Sequence, residues 1–164
     1  MFSLTGKSAI VTGGSSGIGL AIARCFSDAG ASVLVADRNP APEEFDYCEA
    51  DVSCEDDVAA MFDIAQKHFG RVDILVNNAG IQPLGVGFER MTGPLLERTF
   101  AVNVFGVVFG LKQAARALAD GGRVINMASF VGMIGTPGAT AYGASKAAVI
   151  HLTRLGAIEL APRR

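Results

Sequence analysis

The sequence predicts an α/β doubly wound parallel sheet, and three features of the chain carry that prediction. Short β-branched runs alternate with longer helical patterns, which is the order of βαβ units. Three of the runs are near-continuous apolar stretches, as expected for strands covered on both faces. Half of the 164 residues are apolar and only 18% are charged, which suggests doubly buried strands or apolar surface covered by a partner.

The elements follow in order. "SAIVT" (8–12) reads as the first strand, followed by a helix over 17–29 that ends at Gly30. "SVLVA" (32–36) is the second strand. The connection "RNPAPEEFD" contains Pro40 and Pro42, so any helix there is a stub. "YCEA" (47–50) is the third strand. Ser53 is the expected N-cap of a helix over 54–69, whose acidic opening suits the helix dipole and whose end falls at Gly70. "DILV" (73–76) and "RVINM" (123–127) are the fourth and fifth strands. Helices are expected over about 93–119, before Gly121-Gly122, and over about 140–161. No repeat or linker interrupts the pattern, so residues 1–164 form one domain.

Composition excludes several function classes. A net charge of −2 with no Lys/Arg cluster argues against nucleic acid and against a membrane-surface helix. No apolar stretch looks long enough to span a bilayer; "FAVNVFGVVFG" is short and carries Asn103. The N-terminus shows no signal peptide. Cys25, Cys48 and Cys54 lack metal-ligand spacing and read as reduced thiols of a cytoplasmic protein, with no metal expected. His68 suits a helix C-terminus, and His151 suits a packing or subunit contact.

"TGGSSGIG" (12–19) joins the first strand to the first helix, in the context that a dinucleotide-binding turn requires. Gly13 permits the tight turn, and Gly17 and Gly19 let backbone and phosphate approach closely, with the pyrophosphate at the helix N-terminus. Asp37 ends the second strand, where its carboxylate can accept from ribose hydroxyls and repel a 2′-phosphate; NAD is therefore preferred over NADP, although Arg38 partly offsets the repulsion. Asp51 can hold an adenine amino group while Val52 packs on the ring. "NNAG" (77–80) follows the fourth strand, where small residues let the backbone lie against a cofactor; Asn77 serves equally well as a brace.

Tyr142 and Lys146 in "YGASK" share one helix face. A neighbouring ammonium favours a phenolate and so tunes a tyrosine toward proton exchange near neutral pH. Ser129, after "INMA", can hydrogen-bond a substrate oxygen, and Asn103 can hold a water behind Lys146. Each residue alone has a bland explanation: helix surface, a cap, a packing amide. Their conjunction after a dinucleotide turn points to hydride transfer coupled to proton transfer.

"TGGSSGIG", "NNAG", Asn103, Ser129 and "YGASK" together resemble the short-chain dehydrogenase/reductase family over essentially the whole chain. The resemblance implies a Rossmann fold and an NAD-dependent oxidoreductase interconverting a secondary alcohol and a ketone. Tyr142 would be the general acid/base and Ser129 would orient the oxygen. Lys146 would bind the nicotinamide ribose and Asn103 would complete a proton relay. The cofactor set implied by the motifs is Gly13, Ser15, Ser16, Gly17, Ile18, Gly19, Asp37, Asp51, Val52, Asn78, Ala79 and Gly80, with Tyr142 and Lys146. A homodimer or homotetramer through the helices near 93–119 and 140–161 is implied as well. Family members continue past "ELAPRR" with further strands and a substrate-covering segment. An oxidoreductase missing its C-terminal strands is therefore expected, with a bare edge on the fifth strand. The competing expectation is a non-catalytic module that binds a dinucleotide or pairs with a relative.

Overall fold

The computed structural model describes residues 2–163 and shows the expected sheet. Five parallel strands, β1 (Ser8–Thr12), β2 (Ser32–Asp37), β3 (Asp46–Glu49), β4 (Ile74–Asn77) and β5 (Arg123–Asn126), lie in the order β3-β2-β1-β4-β5. Register follows the alternation of side chains. Ile10 stands opposite Leu34 and Leu75, and all three enter one apolar layer. Val11 stands opposite Val35 and Val76, and these enter the other.

The first layer is closed by α2 (Glu55–Phe69), which buries Val58, Met61 and Phe62, and by α4 (Gly106–Ala117), which buries Ala114. The second is closed by α1 (Gly17–Asp28) through Ala23, with Ile22 and Phe26 packed beside it. Two covered faces explain the runs of consecutive apolar residues in β1, β2 and β4. No helix forms in the Pro40–Pro42 connection.

Ser53 is not the cap of α2. Its amide and hydroxyl both donate to Asp51 Oδ1, at 3.0 and 2.6 Å. The Ncap is Cys54, which makes no side-chain cap bond, and the acidic first turn Glu55–Asp57 complements the helix dipole instead. Gly70 is the left-handed C-cap expected of it. Gly121-Gly122 lie beyond the C-cap at Leu118, in the turn that leads into β5.

The helix expected over 93–119 is continuous but not uniform. It runs as α3 (Gly93–Phe100), a π-turn over Ala101–Phe105, then α4. Its 25 residues, Gly93–Ala117, are long and apolar enough to cross a membrane by length and composition, with a mean hydropathy of 1.3 over the best window. This corrects the expectation that no stretch would qualify, which had treated Asn103 as an interruption. The helix packs on α2 and β4, and it buries Asn103 and Gln113 against the protein.

The last helix, α5 (Thr140–Glu159), packs on β5 and against α3 and α4. Among the described residues β5 is paired on one side only, and Ile125 is 41% exposed. A groove of about 380 Å³ runs beside it, lined in part by Leu111, Leu118, Val124 and Leu160.

At the opposite end of the sheet from the motif loops, buried Asp73 ties β1 to β4. It accepts from the Ser8 amide (3.1 Å), Lys7 Nζ (3.2 Å) and an Arg71 guanidinium nitrogen (2.6 Å). Burial pushes its carboxyl upward, but these hydrogen bonds and cations outweigh it and hold the group below its ordinary value. A depressed carboxyl stabilises the fold fully above its unfolded value of 3.8, and that stability is lost as pH falls through the lower folded value. Asp73→Asn is expected to lower unfolding free energy near pH 7 by about 1–3 kcal/mol. In denaturant titrations the gap from wild type should shrink below about pH 4, and a gap that does not depend on pH would contradict this account.

Candidate functional site

The glycine turn is built by close approach. Gly13 has φ +64°, and a Cβ there would stand 2.9 Å from Ala79 Cα. A Cβ on Gly19 would collide with the Gly13 carbonyl and the Asn78 amide. Gly19 is thus also a packing glycine that seats α1 against the turn. Gly17, at φ +54°, has nothing within 4 Å of its Cβ position and is the glycine that faces open space.

Thr12 pins the partner loop. Its hydroxyl oxygen accepts from the Asn78 and Ala79 amides, both at 3.0 Å, and donates to Val76 O. The Asn78 side-chain Nδ2 donates to the Thr12 and Gly13 carbonyls at 2.9 and 3.1 Å. Asn77 is a brace: its Nδ2 donates to Asn126 Oδ1 at 2.8 Å, from β4 to β5.

Between these loops lies a cleft of about 770 Å³ at the carboxyl ends of the strands. Of the residues read from the sequence, Gly13, Ser16, Gly17, Ile18, Gly19, Asp37, Asp51, Val52, Asn78, Ala79 and Gly80 line it. Ser15 lies behind the lining; its amide donates to Asp37 Oδ2 at 3.1 Å. Arg38, read from the sequence only as a cation beside Asp37, lines the cleft as well, and so does Asn39, which sequence reading passed over.

The cleft's chemistry suits a dinucleotide. The N-terminus of α1 opens into it with no side-chain cap at Ser16, leaving backbone N–H groups for a pyrophosphate. Asp37 accepts from Ser15 and Asn39 amides yet keeps lone pairs for hydroxyl donors. Partial burial raises its carboxyl, but the bonds from Ser15, Asn39 and Arg38 prevail and keep it below the ordinary value. Asp51 is also held low, first by the Ser53 hydroxyl, against the opposing effect of burial. Arg38 Nε lies 3.7 Å from Asp51 Oδ2, so the cation next to Asp37 is turned toward another carboxylate. Val52 packs against Gly106, where a Cβ would lie 2.9 Å from Val52 Cγ2.

The catalytic candidates meet the cleft at Gly80. A Cβ on Gly80 would lie 3.2 Å from Asn103 Oδ1 and 3.6 Å from Lys146 Nζ. Lys146 is buried, donates to the Met127 carbonyl at 2.7 Å, and lies 5.7 Å from the centroid of the half-buried Tyr142 ring. Burial alone pushes the Lys146 amine below its ordinary value. One bond to a carbonyl leaves the amine two further donors.

Asn103, fully buried in the π-turn, clamps three segments. Its Oδ1 accepts from the Ile81 amide at 2.8 Å, and its Nδ2 donates to Ile81 O at 2.9 Å and to Ser145 Oγ at 3.0 Å. Both N–H groups are therefore committed to protein and cannot also hold a water. Ser145, which sequence reading passed over, links this clamp to Tyr142 by donating to its carbonyl at 2.7 Å.

Ser129 caps the 3-10 turn Phe130–Gly132, its oxygen accepting from the Val131 amide at 3.4 Å. That turn presses on α5: a Cβ on Gly132 would lie 2.7 Å from the Lys146 carbonyl carbon, and one on Gly143 3.0 Å from Val131 O. The small residues inside "YGASK" are thus what lets the Ser129 turn lie against the tyrosine helix. His68 pairs with Asp46 on the surface, His151 is exposed, and no metal-binding cluster forms among the described residues.

A family model described as short chain dehydrogenase matches residues 7–164. The chain is 40% identical to 3beta-hydroxysteroid dehydrogenase 2 of Eggerthella lenta, over 92% of this chain and 64% of that protein. It is 39% identical to sex determination protein tasselseed-2 of Zea mays, over 96% of this chain and 52% of that protein. It is 38% identical to (+)-borneol dehydrogenase 2 of Salvia officinalis, over 96% and 60%. A solved Serratia marcescens short-chain dehydrogenase/reductase carrying two substitutions aligns with a TM-score of 0.89 at 38% identity, over 98% of this chain and 75% of that one. The chain spans between about half and two thirds of the length of these curated relatives. The parallel sheet, the glycine cleft and the Tyr142–Lys146 face therefore share one origin: the chain belongs to the short-chain dehydrogenase family.

Proposed function

We propose that the protein is an NAD-dependent oxidoreductase that interconverts a secondary alcohol and a ketone. The observation that carries this reading is Gly80, which lines the nucleotide cleft and where a Cβ would lie 3.6 Å from the Lys146 amine. The relatives named for a hydroxysteroid and for borneol are named for alcohols, which supports the same chemistry.

When bound, the nicotinamide dinucleotide accepts or supplies the hydride. The chain's own residues hold the reactants and manage the proton. The α1 N-terminus and Gly17 receive the pyrophosphate, with Ser15, Ser16 and Ile18 shaping the turn. Asp37 receives the adenosine ribose, and Asp51 and Val52 the adenine. Asn78, Ala79 and Gly80 form the backbone floor beneath the nicotinamide half.

Lys146 directs its two remaining N–H groups to the nicotinamide ribose and toward the phenol. A cation there stabilises the charge left as a phenol gives up its proton. Tyr142 Oη takes the hydroxyl proton in oxidation and returns it to the carbonyl oxygen in reduction. Ser129 Oγ hydrogen-bonds the same substrate oxygen. Asn103 is foremost a positioning residue, and the second lone pair of its Oδ1 is where a relay to solvent attaches.

Arg38, drawn toward Asp51, leaves Asp37 to repel a 2′-phosphate, which supports NAD over NADP. A second copy of the chain fits the outer faces of α3, α4 and α5, where Leu96, Phe105, Val108, Leu155 and Ile158 are exposed. All three cysteines are free, consistent with a cytoplasmic setting. A dinucleotide-binding module without turnover is the second reading. It is favoured by the pairing of β5 on one side only among the described residues.

Tyr142→Phe is expected to reduce kcat for alcohol oxidation by roughly 10²–10⁴-fold while NADH affinity, read by fluorescence titration, stays near wild type. Retention of most activity would remove Tyr142 from the mechanism. NADH binding without turnover of any alcohol would select the second reading. Asp37→Ala is expected to raise the NADP/NAD ratio of kcat/KM at least tenfold. An unchanged ratio would show that Asp37 does not set cofactor choice.

A further inference from the structure

We propose that the substrate is a neutral, bulky, apolar alcohol or its ketone, and that ionised substrates such as hydroxy acids and phosphorylated sugars are refused. This narrows the hydride-transfer reading above and rests on it, but it draws on a different part of the molecule.

Two segments at the carboxyl ends of β4 and β5 flank the catalytic candidates. Residues 81–88 follow Gly80, and residues 127–139 run from the Lys146-bound Met127 carbonyl through Ser129 to the start of α5. They join each other: the Val86 amide donates to Gly138 O at 3.1 Å, and Val86 pairs with Ala139 in a parallel bridge. Ala139 is the buried Ncap of α5, three residues before Tyr142. The two walls and the tyrosine are therefore anchored at one point.

These walls carry no charge. Residues 74–88 and 124–145 contain no Asp, Glu, Lys, Arg or His. Of the cations that bound them, Arg123 donates to the Gly121 and Gly122 carbonyls and Arg90 to the Gly85 carbonyl, while Lys146 donates to the Met127 carbonyl and commits its other N–H groups to the cofactor ribose and the phenol. An anionic substrate would meet no free cation there, and desolvating its charge would go uncompensated.

What the walls do offer is apolar surface. Leu84, Phe88, Phe130, Met133 and Ile134 are 64, 86, 62, 74 and 58% exposed. Scattered exposed apolar residues need no explanation, but five on two joined segments around one proton-transfer site do. A small polar alcohol would leave them wet, whereas an alicyclic one would cover them.

The test is a panel of secondary alcohols sharing the reacting group: 2-propanol, cyclohexanol, 2-decalol and lactate. Each buried methylene is worth about fourfold. With half of its additional carbons buried, 2-decalol should exceed 2-propanol in kcat/KM by about a hundredfold, with cyclohexanol between them and lactate below detection. Met133→Asp and Ile134→Asp should each lower the ratio of 2-decalol to 2-propanol at least tenfold. Thermal melts identify any variant that fails to fold, and Phe130→Asp then stands in for it.

Binding is read separately by saturation-transfer NMR of each alcohol in the presence of NADH, so the preference is measured whether or not turnover occurs. No turnover of any alcohol with 2-decalol still bound preferentially would sink the hydride-transfer reading and leave this one standing. Lactate handled as well as 2-decalol, or 2-propanol within threefold of it, would overturn the proposal. So would aspartate variants that leave the ratio unchanged, since the apolar side chains would then face something other than substrate.

Discussion

One buried amide holds the site together. Asn103 grips both backbone polar groups of Ile81 with its side chain and reaches Ser145 with its second N–H. The loop after β4, the π-turn in the long helix and the second turn of α5 are thereby fixed to one another. None of the three would hold that relation unaided: the loop has no regular structure, and a π-turn is a local departure from the helical ladder. A neutral amide suits the task because it donates and accepts at once, and burial lowers the local dielectric and strengthens its bonds.

Close approach is the second ingredient. A Cβ on Gly110 would strike the Asn77 side chain, and one on Gly106 would press on Val52. These glycines, one helical turn apart, let the long helix lie against the carboxyl ends of the strands. Gly132 and Gly143 do the same for the Ser129 turn and α5. The result is a buried lysine facing a half-buried tyrosine, with a nucleotide-sized cleft ending beside them. A separate polar cluster lies at the other end of the sheet, where Asp73 is enclosed by Ser8, Lys7 and Arg71. Separating the two leaves the loops around the site free to be shaped by chemistry rather than by folding.

The fold was legible because its signals are local. A run such as "SAIVT", followed by a turn and an amphipathic helix, fixes strand identity without knowledge of the partner. The site was legible in part for the same reason: a glycine turn and an i, i+4 pair announce themselves in one dimension. What stayed hidden depends on contacts distant in sequence. The packing role of Gly19 stays hidden until the Asn78 side chain is seen beside it. Ser53 reads as a helix cap until Asp51 takes its hydroxyl. Ser145 reads as filler until Asn103, 42 residues away, bonds to it. The π-turn at Asn103, inside the helix expected over about 93–119, stays hidden because it serves a loop residue 22 positions away.

The clamp can be observed directly through hydrogen exchange at the Ile81 amide. This N–H lies in a loop without regular structure, and its partner is the Asn103 side-chain oxygen. Native-state exchange should show it protected like the sheet amides, with protection lost in Asn103→Ala while β1 and β2 amides keep theirs. Exchange of Ile81 at the rate of an open loop in the wild-type protein would contradict the account.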